Sequence, residues 1–444
     1  MDVLSRYIEE HHEKLELDKE TINHVLNLSN TLVERTELVA KAPEFEKHGP
    51  KLENGKVSLP PGNEEVYREF GKAGLYSIFG PEKYGGLNLP YTLYSAFTEI
   101  VSRACGSTGL GVAVQGSVID IIMQFGTEEQ KAKYLPPLLK GEKFGSVCFT
   151  EPWAGSDLAG IRTTARYEDG YYIVNGQKQW ITNGGFSDIY ILLARTDPEK
   201  GKKGLSQFIL EKGIEGFSVL RLEKKYGLEA QPTAVLNFDN VMIPEENLLG
   251  NRGEGLKQTI LGLSGGERIG VAAWATGIAY SAYLEAVEYS NLRTAFGQKI
   301  IDFPIINRKI KTMEKQLDIA RNAYIRAAVV KDTGGPWSIE ASIAKLYASE
   351  AGVSITYQNQ QIHGGNGISK EYPAERHVRD VRTATIGGGT SEIQTMIITR
   401  HMKKNSCSYL GIENDWELWR DPNNNYIFKI PKGLIDWEFW GVKK

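Results

Sequence analysis

The sequence predicts an α+β protein of three successive blocks: an N-terminal helical domain, a central antiparallel β-domain and a C-terminal helical bundle. Three observations lead there. Apolar residues recur at three- and four-residue spacing from Asn63 to Glu142, the pattern of helices with one buried face. Short β-branched and aromatic runs follow, split by the pairs Asp169-Gly170 and Asn175-Gly176, which read as hairpin turns. After "NRGEGLKQ" the helical period returns in amphipathic segments at about 256–292, 304–332 and 338–362, enough for a bundle.

Taken in order, residues 1–62 form an N-terminal arm, helical to residue 44 and then a linker, "EFEKHGPKLENGKVSLPPGN", by its Gly, Pro and charge content. Residues 63–147 make the helical domain, with "YTLYSAFTEIVSRA" and "EEQKAKYLPPLLKG" as its clearest helices. The β-domain covers 148–255 with its first run at "GSVCFTEP", the C-terminal helical domain covers 256–404, and 405–444 is a Trp-rich arm. That arm holds Trp416, Trp419, Trp437 and Trp440 among charged residues, a mix suited to packing on the body or on a neighbouring subunit.

The chain has 444 residues, 41% hydrophobic and 24% charged, which allows two or three packed units. Lys and Arg number 52 against 55 Asp and Glu, a formal charge of -3, so no excess of either sign draws it to nucleic acid or anionic lipid. Cys105, Cys148 and Cys407 are scattered and odd in number, which supports neither a disulfide framework nor a zinc site. The acidic start resembles neither a signal nor a transit peptide, and no apolar run has the length of a membrane span. A cytoplasmic protein is expected, with a mitochondrial matrix enzyme lacking its presequence as the alternative.

Common motifs are absent. There is no P-loop, no H-E-x-x-H and no strand-linked G-x-G-x-x-G. "GLGVAV" at Gly109 lies in a helical block and reads as helix packing, and His363 in "QIHGGNG" reads as a packed residue; no metal site is expected from the seven histidines.

Several segments, in order, resemble the acyl-CoA dehydrogenase family of flavoproteins: "GTEEQKAKYLPPLLKGE" from Gly126, "CFTEPWAGSDLAGIRTTA" from Cys148, "QKQWITNGG" from Gln177, "NLRTAFGQKI" from Asn291, "QQIHGGNGISKEYPAERHVRDVR" from Gln360 and "GTSEIQ" from Gly389. The resemblance implies FAD as cofactor, an acyl-CoA thioester as substrate, an electron-transfer flavoprotein as acceptor and a homotetramer. It places Cys148, Phe149, Thr150 and Ser156 with Trp180, Ile181 and Thr182 against the flavin. Hydroxyls and free amides beside an aromatic wall suit a ring rich in acceptors. Arg293 and Phe296, by the same resemblance, reach a diphosphate across a subunit boundary, Gln361, Gly364 and Gly365 hold the adenine half, and Thr390 and Glu392 close the pocket. Ser156 also touches substrate.

One departure concerns the chemistry itself. Removing the α-proton of a thioester needs a carboxylate over the α-carbon and donors on the thioester oxygen. Many members carry a Glu just before "GT"; here that place is Gly388, within Gly387-Gly388-Gly389. Isovaleryl-CoA and long-chain acyl-CoA dehydrogenases instead place a Glu at the start of a C-terminal-domain helix, before an Arg. "LSGGERIGVAAWATG" supplies Glu267 and Arg268 with the family's spacing to Arg293. Taken alone, Ser264 to Glu267 is also an S-x-x-E capping box. The resemblance favours Glu267 as the base, its pKa raised by the apolar helix that follows. Arg268 then contacts the pantetheine or pyrophosphate of CoA, and Gly388 and Gly389 keep the oxyanion and substrate contact through backbone N–H groups. Gly265 stands where straight-chain members often have an Asp. The paired glycines leave volume beside the α-carbon, which favours a branched or cyclic acyl group. An oxygen-using oxidase and a silent flavin- or CoA-binding scaffold are the alternatives; net charge disfavours a DNA-binding relative.

Overall fold

We describe residues 2–404, 416–420 and 427–431 of a computed structural model. The chain forms two compact units, 1–394 and 395–444, each described by itself.

The first unit opens with α1 (Val3–Glu9), α2 (His12–Leu15), α3 (Lys19–Arg35) and α4 (Leu38–His48). The segment expected as a linker is not featureless. It folds as a hairpin of β1 (Lys51–Glu53) and β2 (Lys56–Ser58), turned at Asn54-Gly55 with φ 51 and 76, the pair that two-residue hairpin turns favour. Then come α5 (Asn63–Lys72), α6 (Tyr91–Ala104), α7 (Gly106–Phe125) and α8 (Glu128–Leu139), the last opened by a capping box of Thr127 and Gln130. By length and hydropathy α7 passes the test for a membrane span, against the expectation from sequence, yet most of it is buried in the core of this unit. A helix apolar all round is what a central position requires. The "GLG" reading as helix packing is borne out: a Cβ on Gly109 would fall 2.2 Å from the Ser102 hydroxyl oxygen on α6.

The β-block comprises β3 (Gly145–Cys148), β4 (Thr164–Glu168), β5 (Tyr171–Thr182), β6 (Ile189–Arg195), β7 (Leu205–Glu211), β8 (Phe217–Leu222), β9 (Thr233–Pro244) and β10 (Leu248–Leu249). They form one sheet in the order β10-β7-β6-β4-β5-β9-β8, with β3 on β6. Pairing is antiparallel except for β3 on β6 and one contact of β4 with β6. Asp169-Gly170 makes the expected turn, but Asn175-Gly176 does not. It lies inside β5, where the register against β9 shifts between Val174 and Gly176. The pair marks a bulge rather than a chain reversal.

Next are α9 (Gly255–Gly262), one π-helical turn at Leu263–Glu267, and α10 (Arg268–Leu292). A hairpin of β11 (Thr294–Ala295) and β12 (Gln298–Lys299) leads to α11 (Pro304–Asp332), α12 (Trp337–His363), α13 (Ala374–Val381) and the start of α14 (Ser391–Lys404). Helices α10, α11 and α12 pack on one another, and α10 and α11 also pack on α6. The second unit holds the rest of α14 and a hairpin of β13 (Trp416–Arg420) and β14 (Ile427–Pro431), with Trp419 opposite Phe428. The expected packing of the Trp-rich arm lies outside the described residues, which exclude Trp437 and Trp440.

Candidate active site

Glu267 ends the π-turn that joins α9 to α10. Gly262, Glu267 and Arg268 all have right-handed helical dihedrals, so the helix runs through without a cap. The capping-box reading is therefore corrected: Ser264 donates its hydroxyl to the Ile260 carbonyl at 2.7 Å and accepts from Arg268 Nη1 at 2.8 Å. A π-turn widens a helix by one residue and re-aims the side chains that follow, a device common at functional sites. Tyr91 donates to the Gly266 carbonyl at 2.8 Å and steadies the turn.

This turn and the triple-glycine loop, far apart in sequence, meet. A Cβ built on Gly388 would lie 3.7 Å from Glu267 Oε1 and 3.7 Å from Val271 Cγ2. The Glu267 carboxylate thus occupies space beside the point where a side chain at 388 would begin. Its Oε2 is buried without a hydrogen-bond partner among the described residues. Burial pushes the carboxyl up to about 7, against the opposing charges of Arg268 and Lys345.

Gly388 and Gly389 have φ of 65 and 91, left-handed values that glycine adopts without strain. Their carbonyls are held from the protein side. Gln394 Nε2 donates to both at 3.0 Å, and Lys345 Nζ donates to Gly389 at 2.7 Å. The N–H of Gly388 meets no protein acceptor among the described residues. Arg268 is 3% exposed, with Nη1 shared by the hydroxyls of Ser264 and Ser342 and Nε without a partner. Its contacts among the described residues are thus with these two serines.

A second group forms where β3 and β5 end. Thr150 accepts from the Gln179 N–H at 2.9 Å, and Ser146 donates to the Thr182 carbonyl at 2.8 Å, so the "FTEP" and "QWIT" segments are tied directly. Trp180 sits in the β5 bulge between Lys178 and Ile181 with φ 62, and its side chain is 52% exposed. A tryptophan held in a strained conformation with its face open is what a stacking wall looks like. Cys148, Phe149 and Ile181 are buried. The hydroxyls of Thr150, Ser156 and Thr182 bond no protein group among the described residues. An exposed aromatic side chain and hydroxyls unengaged among the described residues, on segments tied to one another, fit a flavin.

A third group gathers at the far end of α10. Arg293 and Phe296 are exposed, Phe296 at 97% with φ 50. Gln361, Gly364 and Gly365 are exposed too, and a Cβ on either glycine would meet nothing. Tyr289, one turn before Arg293, stacks on His363 at 4.1 Å and receives a bond from Asn366 at 3.0 Å, which ties these two segments together. No hydrogen bond or ring contact links this group to the Trp180 surface among the described residues. Thr390 accepts from the Ile393 N–H at 3.3 Å as the cap of α14, and Glu392 is exposed.

Residues not singled out from sequence also build the site. Lys178 and Glu151 form a buried pair at 2.8 Å, Lys178 also donates to the Phe149 carbonyl, and Glu151 accepts from the amides of Arg162 and Thr163. The pair pins the loop that carries Ser156. Both stand inside quoted segments, and charges in otherwise apolar strands were the signal. Lys345 and Gln394 gave no comparable signal.

Comparisons with known proteins follow this geometry. Family models described as the N-terminal, middle and C-terminal domains of acyl-CoA dehydrogenase match residues 42–142, 146–241 and 253–403. A short-chain specific acyl-CoA dehydrogenase of Megasphaera elsdenii is 42% identical over 76% of this chain and 88% of its own. A 3-(aryl)acrylate reductase of Clostridium sporogenes is 40% identical over 77% of this chain and 90% of its own. A chain in the solved structure described as the electron transferring flavoprotein of Acidaminococcus fermentans superposes with a TM-score of 0.79 at 36% identity, covering 86% of this chain and 97% of that one.

Proposed function

Because this chain belongs to the acyl-CoA dehydrogenase family and is an FAD-dependent enzyme of that kind, we propose that Glu267 is the base of its α,β-dehydrogenation. The position is the one used by isovaleryl-CoA and long-chain acyl-CoA dehydrogenases. The observation that carries this is the convergence of the Glu267 carboxylate on the space above Gly388. A base over an acyl α-carbon must sit within hydrogen-bond reach of the proton it takes, and a side chain at 388 would project into the same place.

The residues divide the work as follows. Glu267, half-buried with its Oε2 buried and unpartnered among the described residues, removes the α-proton, and its raised pKa makes proton acceptance favourable near neutral pH. The Gly388 N–H donates to the thioester oxygen and stabilises the charge that develops there. Trp180, Thr150, Ser156 and Thr182 hold the flavin, with Thr390 and Glu392 at the mouth of the pocket. When bound, the flavin supplies the acceptor for the hydride that leaves the β-carbon. Arg293, Phe296, Gln361, Gly364 and Gly365, exposed on this chain, serve the cofactor of a neighbouring copy in a tetramer. Electrons pass to an electron-transfer flavoprotein, a reading supported by the description of the Acidaminococcus neighbour. The bacterial relatives support a cytoplasmic location.

For the substrate we infer a short acyl group that is broad at its α- and β-carbons, branched or cyclic. Bare backbone at Gly387 and Gly388 supports breadth. One relative described as short-chain specific and another as acting on arylacrylates support that pair of properties.

The test is anaerobic titration of the purified holoenzyme and of Glu267→Gln with butyryl-, isobutyryl-, isovaleryl-, cyclohexanecarboxyl- and 3-phenylpropanoyl-CoA, followed by flavin absorbance. Bleaching of the wild type by a branched or cyclic thioester, with the variant binding it and staying yellow, is expected. A variant bleached as fast as the wild type removes Glu267 from the role.

A further inference from the structure

Lys345 on α12 is fully buried, and burial of an ammonium is costly unless a partner repays it. No carboxylate lies within 4.0 Å of it among the described residues. Its hydrogen bond goes to a backbone carbonyl, that of Gly389, at 2.7 Å. A single carbonyl repays the desolvation of an ammonium only in part, so the burial of this lysine calls for another account.

Its placement supplies one. Through Gly389 it grips the loop whose Gly388 faces Glu267, and Gln394 grips the same loop through both glycine carbonyls. With these carbonyls drawn toward α12 and Gln394, the trans peptides direct the N–H groups of Gly389 and Thr390 the opposite way, and the backbone that carries Gly388 is fixed from its C-terminal side. The charge of Lys345 also acts on Glu267. The remaining charges around Glu267 are accounted for: Arg268 is adjacent on α10, and Asp120 of α7, which packs on the π-turn, is paired with Lys331 of α11 at 2.8 Å. Around Lys345 itself stand Glu350, Arg268, Glu267 and Glu392.

We propose that Lys345 is a positioning residue common to both halves of the site, its ammonium fixing the oxyanion loop through Gly389 and supplying a positive charge to the surroundings of Glu267. It touches neither the substrate nor the reacting atoms. The proposal rests on Glu267 being the base.

The experiment compares holoenzymes of wild type, Lys345→Met, Lys345→Arg and Glu267→Gln. The pH profile of kcat/KM is measured with the thioester of the panel above that bleaches the wild type fastest. In parallel the Glu267 carboxyl is titrated by infrared difference spectroscopy, its band identified by loss in Glu267→Gln. Loss of a nearby positive charge moves a carboxyl by about one pH unit or more. The expected result is an acid limb, and an infrared midpoint, about one unit higher in Lys345→Met, with about a tenfold slower rate below the wild-type midpoint and a return toward wild type in Lys345→Arg. A Lys345→Met holoenzyme with both midpoints at the wild-type value overturns the proposal while leaving Glu267 as base. A Glu267→Gln enzyme that keeps its rate and acid limb overturns the reading beneath it. If Lys345→Met does not retain flavin, Lys345→Gln takes its place under the same criteria.

Discussion

Glu151, buried, and Glu267, half-buried with a buried Oε2, are the same residue type in one chain, and their surroundings shift their carboxyls in opposite directions. Glu151 has Lys178 at 2.8 Å and two backbone amides on its oxygens. Although burial opposes ionisation, that company holds its carboxyl below the usual range. Glu267 has an oxygen with no partner, an apolar neighbour in Val271 and two cations acting from a distance, and its carboxyl is pushed up to about 7. A satisfied acid is structural, whereas an unsatisfied one retains the capacity to take a proton.

The largest effect expected from this contrast is on turnover. Glu267→Gln should lower the rate of flavin bleaching by at least about a thousandfold, roughly 4 kcal/mol in the barrier, with thioester binding and fold preserved. Glu151→Gln should do the reverse: it strands Lys178 without its carboxylate and costs about 3–5 kcal/mol of stability. Denaturant unfolding should show that loss together with weaker flavin retention. Much of the loss should return in Glu151→Gln/Lys178→Met, because the cost lies in the unpaired charge. A Glu151→Gln protein as stable as wild type would erase the distinction drawn between the two acids.

The block order, the strands and the three long helices were legible because each depends on local period. The proposed base was legible only through resemblance: on local evidence Ser264 to Glu267 read first as a cap, since nothing in four residues announces a π-turn. The linker and the Asn175-Gly176 turn were misread for related reasons. Asn54-Gly55 closes a hairpin whose strands, Lys51–Glu53 and Lys56–Ser58, are too short to show alternation, and Asn175-Gly176 is overruled by pairing with β9 on both sides. Lys345 was illegible because its role is set by a loop 44 residues away in the chain, whereas Gln394 stands in "GTSEIQ" itself and its hold on the Gly388 and Gly389 carbonyls is local.

The same comparison predicts a pH-dependent difference in stability. A carboxyl whose pKa is raised by folding binds its proton more tightly in the folded state, so its contribution is present below the unfolded value near 4.5 and is lost as pH rises to about 7. Gln carries no such loss. Thermal melts of Glu267→Gln and wild type should therefore coincide closely at pH 4.5 and diverge by pH 8, with the variant more stable by on the order of 3 kcal/mol. Glu151→Gln should show no gain of this kind at high pH.

The smallest effect concerns the place where the two loops meet. An alanine Cβ at 388 would sit 3.7 Å from Glu267 Oε1, ordinary contact distance, so Gly388→Ala has room in space but not in conformation. Its φ of 65 carries a penalty of about 1–2 kcal/mol for a residue with a Cβ, which denaturant unfolding should register. The methyl group would also line the space proposed for a broad acyl group. Reduction by isovaleryl-CoA and cyclohexanecarboxyl-CoA should then slow more than reduction by butyryl-CoA, while the acid limb set by Glu267 stays in place. Equal slowing for all three thioesters would separate the glycine from substrate choice and confine it to the backbone conformation that presents its N–H.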